Sequence, residues 1–128
     1  MLKVLAALNK WQRREFGYGD ADCCQFAAFV VRELTGKDYI STFAYDTEAQ
    51  AYSIIDTHGD LTSTVSSVLG QPCDDFAVIS DGSPVLVNYN ETELLGIKLG
   101  QIAVCLTKNG LAQLDKQYIQ VGWPSCLK

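Results

Sequence analysis

Apolar positions recur at helical spacing in the first half of the chain and at strand spacing in the second. Val4, Leu5, Leu8 and Trp11 form one stripe, and Lys10, Arg13, Arg14 and Glu15 follow towards its end. This predicts a helix from about Leu2 to Phe16, broken by Gly17-Tyr18-Gly19-Asp20. A second helix is sharply punctuated. Asp22 stands as N-cap with Gln25 three residues on, a capping-box spacing. Cys23, Phe26, Ala27, Val30, Val31 and Leu34 then share one face, and Gly36 supplies a stop. Thr47 and Gln50 repeat the capping pattern, which predicts a third helix over about Thr47 to Thr57, ended by Gly59. Asp60 caps a fourth, Leu61 to Leu69, closed by Gly70 and Pro72.

From Ser83 the period shortens. Pro84 to Tyr89 reads as a strand with proline at its tolerated first position. Asn90-Glu91 reads as a turn, Glu93 to Leu99 and Gln101 to Thr107 as strands, and Lys108-Asn109-Gly110 as a hairpin. Leu111 to Leu114 and Tyr118 to Trp123 complete an expected meander of about five strands. Helices over 1–72 and strands over 83–123 point to an α+β class: N-terminal helices packed on a C-terminal antiparallel sheet. The 128 residues fit a single domain, 1–128, and Trp11 and Trp123 are expected in or near its core.

Charge changes the picture more than bulk composition does. With 48% hydrophobic and 20% charged residues the chain reads as an ordinary globular protein. Ten basic residues against fifteen acidic ones give −5, which argues against nucleic acid as a partner, since phosphates call for a basic face. No segment approaches the roughly 20 apolar residues of a membrane span. The run from Met1 to Leu8 is short and meets Asn9-Lys10-Trp11-Gln12 at once, so no signal peptide is expected. Five scattered cysteines without a CxxC pair imply reduced thiols in a cytoplasm; neither a metal nor another cofactor is expected.

Cys23 is the candidate nucleophile. At the first position of a capped helix, its thiolate would meet the positive end of the helix dipole and unpaired N–H groups, conditions that lower a thiol pKa. The competing reading is a small buried core residue, because Cys23 lies on its helix's apolar face. Cys24 is expected to point elsewhere.

Tyr18-Gly19, then Asp22-Cys23 opening a helix with Phe26, resembles the nucleophile region of the NlpC-like, papain-fold cysteine peptidases. Cys24 and Gln25 stand where that family usually has Ser and Gly. A resemblance covering most of the chain is to small phage proteins of this superfamily, often encoded near tail genes. It is carried by Asp22-Cys23-Cys24, Thr35-Gly36-Lys37-Asp38, Tyr45-Asp46-Thr47, His58-Gly59-Asp60-Leu61, Leu69-Gly70-Gln71-Pro72, Leu95-Gly96-Ile97 and Asn109-Gly110-Leu111. The resemblance implies a papain-like fold and other phage tail proteins as partners. It also implies a location in the host cytoplasm during assembly, then in the virion tail.

One departure bears on activity. Active members begin a strand with His-x-Gly-Ile, and here the run is Leu94-Leu95-Gly96-Ile97. A leucine neither takes a thiol proton nor protonates a leaving amine. The chain's single histidine, His58, is a weak candidate base, since a last-turn histidine already serves its helix's C-terminus. Tyr18 is a candidate groove residue; Asp22, Asn88 and Gln101 are weaker binding candidates. Three functions remain: a tail-tip or tail-assembly protein on a degenerate peptidase fold, an active peptidase or amidase on peptidoglycan peptides, or a small phage host-interaction protein.

Overall fold

The computed structural model describes residues 2–127; of the expected domain, Met1 and Lys128 lie outside them. Four helices precede a five-stranded antiparallel sheet. The helices are α1 (Leu2–Trp11), α2 (Cys23–Thr35), α3 (Glu48–His58) and α4 (Leu61–Leu69). The strands are β1 (Pro84–Tyr89), β2 (Thr92–Leu99), β3 (Ile102–Thr107), β4 (Gly110–Asp115) and β5 (Ile119–Gly122). The expected α+β arrangement, helices first and sheet after, is what the chain adopts.

α1 is shorter than its pattern predicts. It ends at Trp11, which is buried, and the Arg14 guanidinium folds back over the Trp11 ring at 4.3 Å while pairing with Asp20 at 2.9 Å. That return frees Phe16 to pack edge-on against Tyr18 instead of extending the helix. α2 follows its punctuation closely. The Asp22 carboxylate accepts from the Gln25 N–H, and Gly36 closes the helix at φ 78°, a conformation open to glycine at little cost. Phe26, Ala27, Val30 and Val31 are buried on the face the sequence marks.

The sheet is where the expected meander fails. Its order is β4-β3-β2-β1-β5, so β5 leaves the series and pairs with the far edge of β1. Only Lys116–Tyr118 separate β4 from β5. A flat sheet would hold these edge strands four spacings, roughly 19 Å, apart. A three-residue connection reaches only about 14 Å. The sheet therefore curls into a partial barrel.

This curl gives two apolar clusters. The outer one joins α1, α2 and α4 to the sheet through Leu86, Leu95, Ile97, Val104 and Leu106, with buried Trp11 and Trp123. The inner one holds Ile79, Val85, Val87, Ala103 and Cys105, with Leu94 packed against it. Gly96 fits there because any side chain would run into the Cys105 sulfur. Among the described residues, no helix is long and apolar enough to cross a membrane.

Candidate functional site

The turn ahead of α2 is tied together by one carboxylate. Asp22 is 4% exposed and accepts three hydrogen bonds: Gly19 N–H at 2.9 Å, Gln25 N–H at 2.8 Å and the Tyr45 hydroxyl at 2.7 Å. The expected N-cap is thus also the anchor of the turn. The Gln25 amide does not close a capping box; its Nε2 reaches the Tyr45 hydroxyl at 3.5 Å.

Cys23 occupies the first position of α2, half-buried, on the floor of a groove of about 670 Å³. Tyr18, Tyr45, Glu48 and Tyr52 line the groove, as do Glu91 and Glu93 of the β1–β2 hairpin. Lys108-Asn109 of the β3–β4 turn lines it as well. Cys24 does not point away from this site, as its helix position suggested. It lines the groove together with Cys23, and also lines a small apolar cavity of about 80 Å³ behind it, under α3 and α4.

The two thiols polarise one another. Cys23 is held below the ordinary thiol value, first because the Cys24 side chain donates a hydrogen bond to it. Burial opposes this, the Leu95 backbone N–H lowers it further, and Asp22 raises it. Cys24 is pushed well above the ordinary value by the same hydrogen bond and by burial. Of the two, Cys23 is accordingly the one that gives up its proton more readily. The Tyr18 phenol is raised to about 12, chiefly by burial and then by Glu48. Tyr45 is raised further still, by burial first and then by the charges of Cys24 and Asp22.

Tyr18, Asp22 and Cys23 therefore come together, and the other sequence candidates do not. His58 ends α3 on an exposed turn, its Nδ1 2.9 Å from the Ile54 carbonyl oxygen and its ring edge-on to Phe43. It does not line the groove. Gln101 sits in the β2–β3 turn at the opposite end of β2, and Asn88 is exposed on β1 outside the lining. Leu94 borders the groove while packing into the inner cluster of the barrel. The next residue, Leu95, faces the helices, as strand alternation requires. Sequence reasoning missed Tyr45, Glu48 and Tyr52, because their role depends on how α3 folds over α2.

Residues 2–125 match the family described as a domain of unknown function, DUF6950. The chain belongs to that family. No curated protein and no solved structure matches it. Chemically, the site offers a thiol held below its ordinary value and a groove whose lining holds no imidazole.

Proposed function

We propose that this chain is a binding module on a degenerate cysteine-peptidase-like fold, serving as a tail-tip or tail-assembly part of a phage or prophage. The observation that carries the non-catalytic reading is the placement of the only imidazole. His58 lies outside the groove that holds Cys23, bonded to its own helix. Amide hydrolysis by a thiolate still needs a proton for the leaving amine, and no histidine is at hand to deliver it. The phage assignment is supported by the order of short motifs from Asp22-Cys23-Cys24 to Asn109-Gly110-Leu111, and a fold by itself does not dictate function.

A specific observation favours a second reading, an active cysteine peptidase or amidase on peptidoglycan peptides. Cys23 is already biased towards thiolate by Cys24 and by the Leu95 N–H. The two readings separate in one experiment. Wild type and Cys23→Ala are incubated with peptidoglycan-derived peptides while Cys23 alkylation is followed against pH. The expected result is a Cys23 midpoint below the roughly 8.5 of a free thiol, rising in Cys24→Ala, with no cleavage by either protein. Cleavage by wild type alone would install the hydrolase reading. Mass spectrometry of purified virions tests the assembly role: the chain is expected in the particle. Its absence there, with a free monomer in infected cells, would favour a host-interaction protein.

A further inference from the structure

The charges facing the groove are unbalanced. Asp22, Glu48, Glu91 and Glu93 line it against one ammonium, Lys108, so four acids and one base leave a formal −3. Asp22 is occupied by its three donors. Glu48 pairs with Lys108 at 3.7 Å, with 53% and 69% of the two side chains exposed. An exposed pair of this kind contributes little and is readily exchanged. Glu91 and Glu93 are exposed, and among the described residues neither is ion-paired. Tyr18, Tyr45 and Tyr52 line the same groove. Aromatic faces attract cations as carboxylates do, and an ammonium or guanidinium held near both gains from each. The volume, about 670 Å³, falls within the roughly 300–1,000 Å³ of ligand pockets.

We infer that the groove beside Cys23 receives a lysine- or arginine-bearing peptide segment of a partner protein, its cation seated among Glu91, Glu93 and the groove's tyrosines. This rests on the reading of the groove as a binding site. It adds the chemistry of the occupant, which that reading leaves open. Charge complementarity selects the occupant: an acidic segment would meet the groove's excess of carboxylates, and Lys108 alone does not offset them. Cys23 lines the same groove, so the occupant shields its sulfur.

The test uses the full chain and two acetylated, amidated pentapeptides, Ala-Lys-Ala-Lys-Ala and Ala-Glu-Ala-Glu-Ala, titrated by calorimetry at about 0.15 M salt. There the screening length is about 8 Å and distant charges are muted. The lysine peptide is expected to bind and to slow Cys23 alkylation, and the glutamate peptide to do neither. Glu91→Gln with Glu93→Gln is expected to weaken binding at least tenfold. Asp56→Asn with Asp74→Asn removes equal charge from exposed positions outside the groove and is expected to leave binding unchanged. No binding of the lysine peptide, equal binding of both peptides, or equal loss in both double variants overturns the inference. Cys23-dependent cleavage of the lysine peptide would instead overturn the non-catalytic reading and leave the ligand class standing.

Discussion

α2 and α3 begin with the same grammar and end in different surroundings. Each has an oxygen-bearing N-cap that accepts from the N–H three residues on: Asp22 from Gln25 and Thr47 from Gln50. Each stops at a glycine, Gly36 or Gly59. Yet α2 buries Phe26, Ala27, Val30 and Val31, while α3 buries no residue at all. Caps decide where a helix starts; the apolar stripe decides how deeply it sits. The site is built from that inequality. α2 gives Cys23 a rigid mount, and α3 gives the groove a lightly held wall through Glu48 and Tyr52.

The largest expected effect breaks the rigid side. Phe26 is fully buried against Trp11, with ring centroids 5.6 Å apart. Phe26→Ala should cost about 3–5 kcal/mol, read as a fall in the urea midpoint. Tyr52→Ala, at a residue 53% exposed on α3, should stay within about 0.5 kcal/mol. Equal losses would mean that α3 is as deeply anchored as α2.

A middle-sized effect compares the caps. Asp22→Ala strands the Gly19 and Gln25 N–H groups and the Tyr45 hydroxyl, and should cost about 2–3 kcal/mol. Thr47→Ala removes one exposed cap and should cost about 1 kcal/mol. Chemical denaturation of both variants checks the ratio. Because Tyr45 leads into α3, Asp22→Ala should also speed amide exchange across α3.

The smallest effect reads the contact between the two regions. Tyr18 ionises at about 12 because of burial and the neighbouring Glu48. Its folded value lies above the roughly 10 of an unfolded tyrosine, so the folded state holds the extra proton between them. The associated stability is present below pH 10 and lost as pH rises towards 12. Glu48→Gln should move the Tyr18 transition towards 10, followed by absorbance of the phenolate. An unmoved transition would mean that the start of α3 does not rest on Tyr18.

Much of this was legible because it is local. The caps at Asp22, Thr47 and Asp60 lie within three residues of their partners, and each forms. The hairpin at Asn90-Glu91 is equally local: both residues take positive φ, 51° and 62°, as a two-residue turn between paired Tyr89 and Thr92 demands. What was not legible depends on distant pairing. Nothing near Ile119 announces that it will sit beside Val87. The bond from Tyr45 to Asp22 spans 23 positions. The inward turn of Leu94 follows from barrel curvature, which the alternation of Leu94 and Leu95 alone does not reveal, since both are apolar.

Gly19 carries a consequence for how such a chain can change over generations. It holds φ at 82°, and a methyl group built on it would strike the Tyr45 carbonyl oxygen. The obstruction is backbone, so no rotamer relieves it. The turn before the cysteine and the entry to α3 are therefore not free to drift independently. A larger residue at 19 becomes acceptable only after the chain around Tyr45 has been rebuilt, by insertion or by a different loop. Variation in these two stretches should arrive in pairs, and lineages that abandon the thiol would still inherit the glycine.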